Sequence, residues 1–196
     1  MTRKSLTLLI CMVGVVYGCA APSPEMQLII DSAEAMGGER AISRLETLVI
    51  EGDGRQYRLG QNNRPSDDLP YYEVESYVRE IDLLNKNWRV GQTRSSRYPT
   101  GNPVYSQEQT FGTDGDIAYN ITEDGTVSRA SARAAAERLV DQYDHPATLV
   151  NLALTEGTVV ANLRQEDGQD VVDITAPSGQ TYMMYVDSDT KFPTSI

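Results

Sequence analysis

His145 is the only histidine among 196 residues, and it directly follows Asp144. With serines plentiful along the chain, that pair invites a nucleophile–histidine–carboxylate reading. Such a triad depends on three-dimensional geometry, which adjacency in sequence does not supply. Asp144 reads more simply as the cap of a helix begun by Pro146, with His145 as a turn residue. Three acidic pairs, Asp67-Asp68, Asp114/Asp116 and Asp187/Asp189, offer oxygen ligands. None has the spacing of a calcium loop, and Asp114-Gly115 is explained by turn chemistry. Gly52, Gly54 and Gly60 do not form a phosphate-cradling fingerprint, because no helix follows them at the required place. Asn120-Ile121-Thr122 matches a glycosylation acceptor, a coincidence in a bacterial-type exported chain. These residues assign no catalytic group, no metal site and no cofactor.

Chemistry does attach to Cys19. Arg3 and Lys4 precede an apolar run from Leu6 to Tyr17, and small residues follow at Gly18, Ala20 and Ala21. Residues 1–18 therefore read as an export signal. As a helix the apolar run spans about 18 Å at ~1.5 Å per residue, well short of a bilayer interior of ~30 Å. Val16-Tyr17-Gly18-Cys19 resembles the lipobox of bacterial lipoproteins. The resemblance implies that Cys19 becomes the lipidated first residue of the mature chain. With alanine rather than aspartate at position 20, it also implies anchorage to the outer membrane, facing the periplasm. The alternative is ordinary secretory cleavage nearby, which discards Cys19. Residues 19–24, with Pro22-Ser23-Pro24, form a tether in either case.

The remainder must fold without a disulfide, because the second cysteine, Cys11, lies inside the signal. Loss of Arg3 and Lys4 with the signal leaves 15 of the 17 basic residues against all 28 acidic ones, a formal charge of −13. That balance disfavours nucleic acid and anionic lipid surfaces as partners, since both need clustered cations to replace counterions.

These residues must be positioned by a short helical start followed by strands. Met26, Ile29, Ile30, Ala33 and Met36 recur at helical spacing, with Ser23 placed to cap, Pro24 at the first position and Gly37-Gly38 as the stop. Residues 39–45 add a second short helical turn. Period-two patterns then predict strands from Leu48 towards Leu59, at Tyr71 to Leu84, Asn87 to Arg97, Tyr105 to Phe111 and Asp116 to Thr122. A polar loop fills Gln61 to Pro70, and Pro99 to Pro103 turns the chain. Ala132, Ala135, Ala136, Leu139, Val140 and Tyr143 form an amphipathic stripe that Ser128 or Ser131 can cap, and Pro146 opens another helix. Strands resume at Thr158 to Leu163, Asp170 to Ala176 and Gln180 to Val186, with turns at Asp167-Gly168 and Ser178-Gly179. The expected fold is a single α+β domain over residues 25–196. It consists of one long antiparallel sheet, curved like a half-barrel, with helices packed on one face.

Several phrases strung along the chain carry a second resemblance. They are Met36-Gly37-Gly38-Glu39-Arg40-Ala41, Thr47-Leu48-Val49-Ile50-Glu51-Gly52, Phe111-Gly112-Thr113-Asp114-Gly115-Asp116, His145-Pro146-Ala147-Thr148-Leu149-Val150 and residues 186–193. Together they resemble the N-terminal region found ahead of the catalytic module in some exported metallo-β-lactamase-fold hydrolases. The order of strands and helices is also similar to the LolA/LolB-like lipoprotein carriers, whose half-barrel holds acyl chains. The zinc cluster of the first family needs several histidines, so a chain with one carries none of that chemistry. After residues 186–193 only Thr194, Ser195 and Ile196 remain, which reads either as a very short last strand or as the end of a fragment.

The remaining signal is apolar and aromatic. Eleven tyrosines outnumber two phenylalanines, and Trp88 is the only tryptophan. Period two places Trp88 with Val90, and Tyr72 with Val74 and Val78. On a curved sheet these five residues either complete the core or line a slot for a lipid or acyl chain. Gly52 and Gly54 share one face of the first strand, which either leaves room for something large across it or marks a β-bulge. The expected function is a non-catalytic envelope lipoprotein domain that binds an acyl chain. The alternative is an accessory module of an exported metal-dependent hydrolase.

Overall fold

A computed structural model describes residues 21–62, 64–97 and 104–196. Cys19, the export signal, and the turn expected at Pro99 to Pro103 lie outside the described residues. The fold is α+β, as expected. Helix α1 (Pro24–Ala35) begins as its sequence predicts: the Ser23 hydroxyl accepts from the Met26 amide and Pro24 occupies the first turn. Helix α2 (Glu39–Ser43) follows the two glycines. Six strands come next: β1 (Thr47–Tyr57), β2 (Tyr71–Asp82), β3 (Asn87–Arg97), β4 (Ser106–Asp114), β5 (Ile117–Ile121) and β6 (Val127–Arg129). Helices α3 (Ala132–Asp141) and α4 (Pro146–Ala153) interrupt them. Strands β7 (Val159–Glu166), β8 (Gln169–Thr175), β9 (Thr181–Asp187) and the short β10 (Pro193–Ser195) complete the order.

The single long sheet expected from the pattern is two open antiparallel sheets. One has the order β1-β2-β3-β4-β5-β6 and the other β10-β9-β8-β7. The division falls at α3 and α4: β6 and β7 are outer strands of different sheets, and the chain between them is occupied by the two helices. Helices α1, α2 and α4 bury Ile29, Ala33, Ile42, Leu149 and Val150 against Val172, Ile174, Met184 and Val186 of the smaller sheet. Asn151 Nδ2 donates to the Ile42 carbonyl at 2.8 Å and ties α4 to α2.

The larger sheet has a much smaller core. Ile81, Trp88 and Val90 form its buried cluster, with Leu48, Ile50, Tyr77, Leu83 and Phe111 packed partly around them. Between β3 and β4 the backbones come so close that a Cβ on Gly112 would collide with the Trp88 carbonyl, so only glycine fits there.

Both sheets contain a bulge that period-two reading cannot anticipate. In β2, Gly52 pairs with Tyr77 and Gly54 with Val74, so three steps on β2 match two on β1. The same excess appears against β3, between the pairs Glu75–Thr93 and Val78–Gly91. Ser76 takes it up at φ 52°, in the left-handed region. Each such extra residue moves every later side chain to the other face. In β7, Asn162 at φ 59° does the same, which is why the alternation ends early at Leu163 while the strand runs on to Glu166.

Candidate functional site

The open face of the larger sheet is built rung by rung from its register. Ile50, Arg79, Val90 and Phe111 stand in one row, and Leu48, Ile81, Trp88 and Thr113 in the row beside it. Towards the other end of the strands, Gly54, Val74 and Arg94 form a row, followed by Gln56, Tyr72 and Ser96. A cleft of about 480 Å³ lies over this face, within the ~300–1,000 Å³ common for small-molecule sites. Its lining includes Ile50, Gly52, Gly54, Val74, Trp88 and Phe111. A Cβ added at Gly52 or Gly54 meets nothing within 4 Å, so the glycines leave free space and are not forced by a crowded neighbour.

One end of the cleft is closed by α3. The Ser131 hydroxyl caps this helix by accepting from the Ala134 amide. Arg79, 7% exposed, lies with its guanidinium 4.9 Å from the Trp88 ring centre. Its Nη1 donates to Asp144 Oδ1 at 2.7 Å and Oδ2 at 3.0 Å, and its Nη2 donates to the Asp141 carbonyl. A cation is thus held where the last carbonyls of α3 concentrate negative potential. The Trp88 indole N–H donates to the Arg138 carbonyl at 2.9 Å, and Trp88 meets Phe111 edge-on with ring centres 5.9 Å apart. Arg138 reaches back to the sheet, donating to the Tyr119 carbonyl and to Asn120 Oδ1, each at 2.6 Å.

Burial, together with the nearby Asp144, raises the Asp141 carboxyl above the usual aspartate range, while Arg79 opposes the rise. Burial also lowers the His145 pKa below the ordinary histidine value, against the opposing Asp144 and with Arg79 adding to the fall. On the far side of α3, Tyr182 donates to the Val140 carbonyl at 3.1 Å, and burial pushes its hydroxyl up to about 12.

Of the five lining residues expected from the sequence, Val74, Trp88 and Val90 line the cleft. Tyr72 lies beyond its edge on the same face, packed against Arg94 and Arg58 at 4.3 and 5.3 Å. Val78 does not share that face: the extra residue at Ser76 turns it away and brings Tyr77 and Arg79 in. The bulge lies opposite Gly52 and Gly54, on β2 and not at the glycines themselves, and the cleft lies above them.

Asp144 and His145 both depart from the roles expected of them. His145 is the helix cap, its Nδ1 accepting from the Ala147 amide at 3.2 Å, while Asp144 is the partner of Arg79. Asp187 is spent in a turn, accepting from the Asp189 and Thr190 amides. Among the described residues, no three His, Cys, Asp or Glu side chains are grouped to hold a metal ion. No helix among those residues is long and apolar enough to cross a membrane.

Tyr77, Arg79, Gln92, Phe111 and Asp141 line the cleft without having been singled out by the sequence. The one available signal was an arginine at every-other spacing between Tyr77 and Ile81, a face assignment that conflicts with Tyr72, Val74 and Val78 unless a residue intervenes.

No family model matches the chain, and no curated protein matches it. A similar solved structure is LprF from Mycobacterium bovis, at 14% identity over 86% of this chain and 80% of that one, with a TM-score of 0.31.

Proposed function

We propose that this chain is an exported, non-catalytic envelope domain that takes an acyl chain of a lipid or lipoprotein into the cleft on its larger sheet. The observation that carries the reading is the unfilled floor at Gly52 and Gly54, continuous with the rings of Trp88 and Phe111. Affinity would come from burial, at about 0.8 kcal/mol per methylene. The reading includes lipidation at Cys19, which would hold a single domain of residues 25–196 at the outer membrane through the tether.

The test is organic extraction of the protein purified from an envelope fraction, followed by mass measurement. A stoichiometric lipid or fatty acid supports the proposal, and a reproducibly empty cleft removes it. The anchor is tested separately with Cys19→Ser, which should move the protein from the membrane pellet to the soluble fraction and remove the acyl mass.

A further inference from the structure

A chain carrying a formal charge of −11 places a cation, with no ion-pair partner among the described residues, beyond the Val74 end of the cleft. Arg94 stands one rung beyond Gln92 on the cleft-facing side of β3, beside Val74. Its guanidinium lies 4.3 Å from the Tyr72 ring centre, and its Nε is buried with no hydrogen-bond partner among the described residues. No carboxylate among those residues forms an ion pair with it. The contrast with its neighbours is clear: Arg55 and Arg97 share Glu73, each at 3.6 Å. Arg58 approaches Tyr72 from another side, with Nη1 donating to the Tyr72 hydroxyl at 3.2 Å.

At the closed end, Arg79 also has a buried Nε without a partner, although its other nitrogens are held by α3. The two arginines stand four positions apart along β3 register, about 13 Å at ~3.3 Å per residue. Between them the floor consists of Val90, Tyr77, Gly52, Gly54 and Val74. A buried donor left unmatched is costly, and a guanidinium matches the planar acceptors of carboxylate and phosphate.

We propose that Arg94, braced on Tyr72, receives the anionic head group of a single-chain amphiphile whose tail lies over Gly54 and Gly52 towards Trp88. This deepens the acyl-chain reading and rests on it. The ligand class is then a fatty acid or a lysophospholipid, and neutral lipids are excluded as preferred ligands. The overall acidity of the chain keeps extended anionic surfaces away, while one head group needs only one local site.

Trp88 is the only tryptophan in the chain and lines the cleft, so its fluorescence reports occupancy directly. The full chain is titrated with palmitate, 1-palmitoyl-lysophosphatidate and hexadecanol, each below its aggregation threshold. The expected result is at least one anionic probe binding about tenfold tighter than hexadecanol, with the difference shrinking at high salt. The tighter of the two anionic probes identifies the head group as carboxylate or phosphate. Arg94→Gln should abolish the preference while leaving hexadecanol binding and the circular dichroism spectrum unchanged, and Arg94→Lys should restore part of it. Equal binding of charged and neutral probes, or a preference that survives Arg94→Gln, overturns this inference alone. Failure of all three probes to bind overturns the acyl-chain reading beneath it.

Discussion

The two sheets differ in what covers them. The four-stranded sheet lies under α1, α2 and α4, and Leu149, Val150, Ile174, Met184 and Val186 are wholly buried in the layer between. The six-stranded sheet has more strands and less cover. Among the described helices only α3 lies against it, and α3 buries no side chain of its own. What holds α3 to this sheet is polar, whereas its Val140 packs towards the core of the other: Arg79 bonds Asp144 and the Asp141 carbonyl, the Trp88 N–H bonds the Arg138 carbonyl, and Arg138 bonds the sheet. One half is therefore stabilised by close packing between its helices and its sheet. The other is held at one edge by directional bonds, which leaves room across the rest of its face.

The comparison breaks first in the packed half. Leu149→Ala or Ile174→Ala should cost ~2–5 kcal/mol in urea unfolding, because each leaves a cavity in a layer that cannot collapse around it. Arg79→Met should cost less, about 2 kcal/mol, through lost charge-assisted hydrogen bonds to a partner that is itself half exposed. Its effect should be local, with faster amide exchange in α3 and little change in α4. If both variants unfold the two halves together, the division of labour is wrong.

A substitution on the open face separates stability from binding. Gly54→Leu faces open space at ordinary backbone angles and should change stability by no more than ~1 kcal/mol in either direction. It should nevertheless abolish amphiphile binding by filling the cleft. An equivalent enlargement in the wholly buried layer of the packed half, at Val150 or Val172, has no such space to occupy.

The smallest effects are those of pH at the joint between the halves. Folding holds Asp141 with a raised pKa, so its charged form opposes folding at neutral pH. Asp141→Asn should raise the melting temperature at pH 7, with the gain fading as pH falls through the raised value and vanishing below the unfolded value near ~3.9. His145 acts in the other direction. Its folded pKa is lowered, so the stability it contributes is whole above ~6.5 and is lost as pH falls towards the folded value, where protonation takes the acceptor from the Ala147 amide. His145→Gln should flatten that acid slope.

The helices were legible because local chemistry decides them. Ser23 and Ser131 cap as their positions indicate, and Gly37-Gly38 ends α1 through left-handed angles. Strand positions were also legible, with β3 running from Asn87 to Arg97 as the alternation requires. Which strands share a sheet was not, because β6 is three residues long and carries almost no periodic signal. The site was half legible for a similar reason. Trp88 and Val90 follow an uninterrupted alternation, whereas Val78 lies past a bulge whose extra residue, Ser76, carries no glycine or asparagine to announce a positive φ. Arg79 was missed because a charged strand residue ordinarily faces water. Its burial depends on Asp144, 65 positions away.

The bulge at Ser76 also has a genetic consequence. Loss of that one codon would restore unbroken pairing without moving any side chain to the other face, because Tyr72, Val74, Tyr77, Arg79 and Ile81 would then alternate at a strict spacing of two. The clamp on α3 and the floor beneath Trp88 would keep the same residues, and the left-handed angle at position 76 would no longer be needed. Substitutions at Ser76 that tolerate a left-handed backbone, such as asparagine or glycine, would instead keep the bulge itself. At this position the strand can lose the residue altogether and the cleft keeps its lining.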